Sequence, residues 1–325
     1  MNNRFLLILK GMAMGIAEVI PGVSGGTIAF ITGIYKRLLD SIKNINYKAI
    51  KLLFKGEVRE FWKRVDGEFL ITIFGGMAIG LLSGVFVISY LLKNHIEPLW
   101  GFFFGLIIAS VIYIGKQVKK WNFYSFLILL LGIVFAYFLV AMHPMEGNRA
   151  YWYVFFSGLI AISALIMPGI SGSFMLLILG MYTIIIPEVK ILLTDRSLDS
   201  FLILAVFGTG MIVGLFTFAR VMSWAFKQHE QKTLIILTGF MIGSLYKIWP
   251  WRIALSWLNK NTNKIETGLE SIAKITGEHN KVITEKLVLP SDYLISDPRI
   301  ATVVVAMVLG FAIVFFMERL QGNDK

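Results

Sequence analysis

Cysteine is absent, which excludes disulfides, thiolate metal sites and cysteine nucleophiles. Histidine is scarce: His95, His143, His229 and His279 are scattered without ligand spacing, so no metal or other cofactor is expected. Charge is scarce too. Asp, Glu, Lys and Arg make up 16% of the 325 residues, against about 25% in an ordinary soluble chain, while 57% of the residues are hydrophobic. The length would allow two soluble domains, but their cores could not hide the apolar runs, whereas a polytopic membrane protein can. The net charge of +11 does not point to nucleic acid, because the basic residues flank apolar segments, where they set membrane orientation. The N-terminal stretch "MAMGIAEVIPG" shows no cleavage site and continues into patterned chain, so removal as a signal peptide is not expected.

What the sequence does hold is apolar segments. Residues 69–92, 99–115, 122–141, 200–226 and 299–319 are long, and 233–250 is shorter but contiguous. About 20 helical residues cross roughly 30 Å of hydrocarbon, so these six are the expected full crossings. Residues 5–35 and 151–186 are apolar but interrupted by a proline followed by glycines and serines. The first divides into pieces of about 15 residues, each near 23 Å as helix. Neither piece reaches across comfortably. The expected fold is therefore all-α: a polytopic membrane protein with two broken or re-entrant helical hairpins and about six full crossings.

Residues 36–68 carry nine Lys or Arg against five Asp or Glu, with Leu and Ile interspersed. This suits an amphipathic helix in a cytoplasmic headgroup layer or a solvated basic linker. Residues 251–298 balance six basic with six acidic residues, as a non-cytoplasmic loop permits. Placing 36–68 inside puts 116–121, 227–232 and both termini inside as well. Segments 93–98, 142–150, 187–199 and 251–298 then lie outside, and the dense basic loops all fall on the cytoplasmic side.

The sequence repeats internally. "VIPGVSGGTIAFITGIY" at 19–35 matches "IMPGISGSFMLLILGMY" at 166–182 with an offset of 147. With an offset of 134, "GMAIGLLSGVFVIS" at 76–89 faces "GMIVGLFTFARVMS" at 210–223, and "GLIIAS" at 105–110 faces "GFMIGS" at 239–244. An odd number of crossings separates the two hairpins, so the second copy is expected upside down, an inverted repeat of the kind on which alternating-access transporters are built. The expected organisation is one integral membrane domain over 1–325. It comprises a first repeat (5–115), a connecting helix and outer loop (116–150), an inverted second repeat (151–250), a polar loop (251–298) and a last transmembrane helix (299–319).

The doubled PGxSG pattern suits anion binding. Proline begins a helix, glycines admit unusual dihedrals and close approach, serine offers a hydroxyl, and the free amides of a helix start favour negative charge. The alternative is a packing site. Candidate binding residues are Pro21, Gly22, Ser24, Gly25 and Gly26 in the first copy, and Pro168, Gly169, Ser171, Gly172 and Ser173 in the second. The reading requires Pro21 and Pro168 to lie close together. Glu18, an isolated acid three residues before Pro21, is the candidate for proton coupling; position 165 in the second copy is leucine. Arg220 is either a phosphate partner or a side chain reaching for headgroups. Lys36 and Arg37 signal topology and form a possible funnel for an anionic headgroup. His143 and Arg149 border an outer loop or an entrance, and Tyr35 and Tyr182 are interfacial or substrate-facing.

"GMAMGIAEVIPGVSGGTIAFITGIY" together with "ALIMPGISGSFMLLILGMY" resembles the bacterial polyprenyl-phosphate transporter family, formerly a domain of unknown function. The resemblance implies a flippase, not an enzyme. Its expected task is the return of undecaprenyl phosphate, the lipid carrier of cell-wall synthesis, from the outer to the cytoplasmic leaflet of the bacterial plasma membrane. Its partners would be that lipid, other membrane lipids and protons as the coupling ion. The resemblance also places the family signature on Glu18 and the first-copy motif, and on Pro168, Gly169, Ser171 and Gly172. Two rival readings are a transporter of a small soluble anion and a membrane lipid-phosphate enzyme; the latter lacks a histidine partner near its serines.

Overall fold

The computed structural model describes residues 3–20, 23–142, 144–259, 264–277 and 280–322; Pro21, Gly22, His143 and His279 lie outside the described residues. Helices α1 (Asn3–Glu18), α2 (Gly25–Ile31) and α3 (Tyr35–Asn44) form the first broken hairpin and its exit. Short α4 (Tyr47–Phe54) and α5 (Val58–Arg64) lead to long α6 (Gly67–Asn94), α7 (Ile96–Gly115) and α8 (Phe123–Ala141). The second half repeats this plan with α9 (Tyr151–Ile166), α10 (Gly172–Ile178), α11 (Tyr182–Asp195) and α12 (Leu198–Ser244). Helix α12 is broken at His229, where φ is −138° and ψ 44°. A 3-10 turn (Leu245–Ile248), β1 (Arg252–Asn259), β2 (Lys264–Ser271), α13 (Ile272–Gly277), β3 (Lys281–Leu287) and α14 (Ile300–Gly322) complete the chain.

Among the described residues, α6, α7, α8 and the continuous stretch Leu198–Ile248 are apolar and long enough to cross a bilayer; α10 and α11, bent by 104°, add a fifth if they form one span. The six expected crossings fall on α6, α7, α8, the two limbs of α12 and α14, whose apolar part Ile300–Phe316 is shorter. At about 1.5 Å per residue the Leu198–Ile248 stretch is roughly 77 Å long, more than two hydrocarbon cores, which is why it accommodates two segments around the break.

Glycines let the helices cross in close contact, and the crossings follow the two sequence offsets. A Cβ placed on Gly11 would meet the Ile73 carbonyl oxygen at 2.4 Å, one on Gly76 the Ile8 oxygen at 2.5 Å, and one on Gly80 the Met12 oxygen at 2.1 Å. In the second half Gly158 meets Phe207 at 2.4 Å, Gly210 meets Phe155 at 2.1 Å, and Gly214 meets Leu159 at 2.6 Å. Each first-half pair maps onto a second-half pair by 147 on the hairpin helix and 134 on its partner. Helix α1 therefore packs on α6 as α9 packs on the first limb of α12.

The same relation extends to helices that the motifs do not reach. Gly105 meets Met307 and Gly310 meets Phe102, both at 2.0 Å, while Gly239 meets Leu129 at 2.5 Å and Gly132 meets Ile236 at 2.6 Å. Helix α14 thus packs on α7 as α8 packs on the second limb of α12. The third long helix of each half lies against the other half, which interlocks the two repeats.

The polar segments make contact in two groups, one at each end of the long helices. At one end Arg4 pairs with Glu68, Lys36 with Glu230, and the Lys119 amide donates to Gln231 Oε1 at 2.8 Å. At the other, Arg149 pairs with Glu188 at 2.6 Å and with Asp199 at 2.8 Å, Tyr293 donates to Glu97 at 2.9 Å, and Arg299 donates to the Asn94 carbonyl at 2.7 Å. Residues 36–68 are three short helices rather than one: Leu38, Leu39 and Ile42 of α3 are buried, whereas Tyr47, Phe54 and Trp62 of α4 and α5 are exposed beside their lysines and arginines.

Among the described residues, strands occur in the segment expected to be a polar loop. There β2, β1 and β3 form an antiparallel sheet in that order, with Trp257 opposite Glu266 on one side and Val282 on the other. Ile, Val, Thr and Trp alternate with polar residues in these strands, a period-2 pattern that charge balance alone conceals. The sheet is tied to the membrane helices by Trp251 Nε1 donating to Pro298 and Trp249 Nε1 donating to Val288, both at 2.9 Å.

Candidate functional site

The first hairpin turns between α1 and α2. Ser24 caps α2: its hydroxyl accepts the Gly26 amide at 3.0 Å and donates to the Leu165 carbonyl of the second hairpin at 2.8 Å. The Gly25 amide donates to Glu18 Oε1 at 2.7 Å. At the opposite pole of α2, Lys10 Nζ donates to the Thr32 carbonyl at 2.9 Å. Helix α1 therefore supplies an acid to the positive end of α2 and a base to its negative end, which complements the helix dipole at both poles. The chain then leaves α2 through Gly33, whose φ of +73° glycine adopts without steric cost; Gly180 holds the equivalent place at +65°.

The second hairpin is built alike, with different polar groups. Ser171 caps α10, 3.5 Å from the Phe174 amide, and its hydroxyl lies 3.0 Å from that of Ser173. Gly169, at φ +84°, donates its amide to Thr27 Oγ1 of the first hairpin at 3.0 Å. A side chain on Gly26 would strike the Ile166 carbonyl at 2.1 Å, and one on Gly172 the Ala161 carbonyl at 2.6 Å. Ser24, Gly25, Gly26, Thr27, Pro168, Gly169, Ser171 and Gly172 are all buried, and Ser173 is half-buried. The two hairpins are thus in direct contact, joined by two hydrogen bonds that run in opposite directions, of which the Gly169–Thr27 bond is buried and the Ser24–Leu165 bond partly so. Pro21 and Gly22 lie outside the described residues.

The remaining candidates lie away from this contact. Arg220 is exposed, and its guanidinium donates to the Phe216 carbonyl at 3.4 Å and lies over the Phe216 ring, whereas Ala219, Met222 and Ser223 carry the buried face of α12. Lys36 pairs with Glu230, and Arg37 grips Asp66 with Nε at 2.6 Å and Nη2 at 3.1 Å. Lys36 borders a cavity of about 280 Å³ that Asp40, Ser223, Phe226 and Lys227 also line. Tyr35 is fully buried against Phe30 and Phe226, while Tyr182 is 39% exposed. Arg149 pairs with the buried Glu188 at 2.6 Å.

Several polar residues near the hairpins gave no motif signal. Lys10 and Thr27 sit inside apolar helix sequence, and only the isolated lysine could have drawn notice. At the sheet-capped end, Glu285 accepts from Lys247 at 2.6 Å and from Arg252 at 3.1 Å, and Arg252 stacks over Trp100 at 4.3 Å. Burial pushes the Glu285 carboxyl up, but the Arg252 and Lys247 charges and hydrogen bonds outweigh it and hold the group below its usual range. Tyr293 is pushed up to about 12, chiefly by burial.

Comparison with known proteins gives consistent matches. Residues 14–266 match the VCA0040-like family, described as undecaprenyl phosphate translocase-like. A polyprenyl-phosphate transporter of Vibrio cholerae is 45% identical over 255 residues, covering 78% of this chain and 80% of that one. One from Staphylococcus aureus is 33% identical over 261 residues, covering 76% and 87%. No solved structure matches the chain.

Proposed function

The chain belongs to the undecaprenyl phosphate translocase-like family, and on that premise we propose that it returns polyprenyl phosphate from the outer to the cytoplasmic leaflet of the bacterial plasma membrane, coupled to protons. The observation that carries the reading is the buried contact of the two hairpins through Ser24 with Leu165 and Gly169 with Thr27. Irregular backbone at membrane depth persists only where protein buries it or a polar path runs beside it. Here its amides and hydroxyls are matched by protein groups: the Glu18 carboxyl at Gly25, hydroxyls at Gly26 and Gly169, and a carbonyl at Ser24.

A phosphate headgroup passing between the hairpins replaces those partners one for one. The amides of Gly25, Gly26 and Gly169 and the hydroxyls of Ser24, Ser171 and Ser173 are donors suited to its oxygens, with Pro21, Gly22, Pro168 and Gly172 shaping the turns. The prenyl tail stays in hydrocarbon, and the headgroup avoids a desolvation cost of several kcal/mol. Glu18 already holds the Gly25 amide, so carboxylate and phosphate compete for one place. Protonation of Glu18 removes the competing charge, and this couples headgroup entry to the proton. Arg220, exposed on α12, meets a phosphate from the lipid side. Lys36 and Arg37 receive it at the cytoplasmic exit, where the positive-inside rule puts both termini and the basic loops.

The test is reconstitution in liposomes with a leaflet-specific assay for polyprenyl phosphate, comparing wild type with Ser24→Ala and Arg220→Ala. Wild type is expected to translocate the lipid and Ser24→Ala to be slowed. Absence of translocation by wild type overturns the proposal, and release of inorganic phosphate redirects it to an enzyme.

A further inference from the structure

The sheet-capped end carries two cations that the hairpin contact does not use. Lys247, in the 3-10 turn after α12, lies over the ring of Phe174 at 4.8 Å, in the first turn of α10 and three residues from Ser171. Arg252 opens β1, is only 3% exposed, and lies over Trp100. Both cations share a single carboxylate, Glu285 of β3: Lys247 donates to Oε1 at 2.6 Å, and Arg252 Nη1 reaches both oxygens at 3.1 Å.

This carboxylate does not exhaust its partners. The guanidinium meets Glu285 through Nη1 alone, and Arg252 Nε is buried without a hydrogen-bond partner. A guanidinium presents Nε and a terminal nitrogen as a planar fork that matches a phosphate edge, and a lysine beside it adds a point charge. Three terminal oxygens of a phosphate monoester suit this set of donors better than the two of a carboxylate. Lys247 and Arg252 lie within the family-matched residues 14–266, whereas Glu285 lies beyond them.

We propose that Lys247 and Arg252 form a receiving site for a phosphate monoester beside the second hairpin, and that Glu285 is its internal stand-in, displaced when the phosphate arrives. The substrate class rests on the transport reading; the phosphate chemistry rests on these side chains. In that arrangement the headgroup waits between Trp100 and Phe174 before it meets Ser171 and Ser173.

The test is equilibrium binding to the full chain in nanodiscs, with radiolabelled farnesyl phosphate, inorganic phosphate and farnesol as separate probes. Glu285→Gln is expected to bind farnesyl phosphate about tenfold more tightly than wild type, and Lys247→Gln added to it to bring binding below that of wild type. Farnesol is expected to respond to neither change. Tighter binding of farnesyl phosphate than of inorganic phosphate identifies the ligand as lipid; equal binding supports a site for free phosphate. Glu285→Gln that folds but binds both phosphates no more tightly than wild type overturns the site. If that variant does not fold, the charge-balanced Lys247→Met with Glu285→Gln replaces it, with loss of phosphate binding expected and wild-type binding fatal to the site. Translocation by wild type with no gain in Glu285→Gln sinks this site alone. A gain in Glu285→Gln with no translocation by wild type sinks the transport reading alone.

Discussion

The Gly25 amide donates to Glu18 Oε1 across 2.7 Å, so the first broken hairpin carries its own acid at the start of α2. Glu18→Gln keeps an acceptor for Gly25 but removes the titrating charge. In proteoliposomes this variant is expected to lose the response of transport to an imposed pH gradient and to slow by about tenfold or more, equivalent to roughly 1.4 kcal/mol of barrier. Transport equal to wild type, with the gradient response intact, removes Glu18 from the coupling.

Ser24 serves two bonds at once, capping α2 through Gly26 and holding the second hairpin through Leu165. Loss of a cap costs about 1 kcal/mol, and leaving the half-buried Leu165 carbonyl without this donor costs up to about 1–3 kcal/mol. Ser24→Ala is therefore expected to lower the thermal midpoint in detergent, while Ser24→Thr retains both functions. Ser173, which is half-buried and bonds only Ser171 among the described contacts, is expected to tolerate alanine with a smaller loss. Equal midpoints for Ser24→Ala and Ser173→Ala would show that the hairpin contact contributes little to stability.

Much of this was legible because proline, glycine and serine have few uses inside hydrocarbon. Their two clusters located both hairpins, and their common spacing linked Gly33 with Gly180, which share a left-handed backbone. What escaped has physical causes. Arg220 was placed by depth, but depth does not give azimuth, and its neighbour Ala219 is the residue that faces inward. The kinship of α8 with α14 left no motif, because lipid-facing helices need only be apolar; it emerges from Gly132 and Gly310 meeting equivalent carbonyls. Glu285 meets Lys247 and Arg252 across more than thirty residues of intervening chain, a pairing that local periodicity cannot register. The strands alternate polar with apolar residues, a signal that the balance of six basic and six acidic residues over 251–298 does not carry.

Stability of the sheet-capped end is expected to depend on acid. The Glu285 carboxyl is held below its usual range in the folded protein, so unfolding raises its affinity for protons. Its contribution is fully present above the unfolded carboxylate value of about 4.3 and is lost as pH falls through the lower folded value. Hydrogen exchange of the β1 and β3 amides is expected to quicken over that acid window in wild type. In Glu285→Gln the exchange is expected to be flat across the same window. An identical acid response in the two proteins would assign the effect to another group.

The interlocked repeats make a specific demand on two glycines of α6 only five residues apart. Gly80 lies against α1, where an added Cβ would stand 2.1 Å from the Met12 carbonyl oxygen, while Gly75 has nothing within 4 Å. The obstructing atom at Gly80 is backbone, so relief requires the helices to separate and not merely a side chain to rotate. Overpacking of this kind costs typically 1–3 kcal/mol, whereas alanine at an open helical glycine is favourable by up to about 1 kcal/mol. Gly80→Ala is therefore expected to lower the thermal midpoint, and Gly75→Ala to leave it unchanged or raise it. Gly214 meets Leu159 at 2.6 Å in the equivalent crossing, and Gly208 has open space, so Gly214→Ala and Gly208→Ala should reproduce the contrast in the second half. Should both members of each pair behave alike, helix propensity rather than the α1–α6 and α9–α12 crossings governs these positions, and the correspondence of contacts between the halves carries no energetic weight.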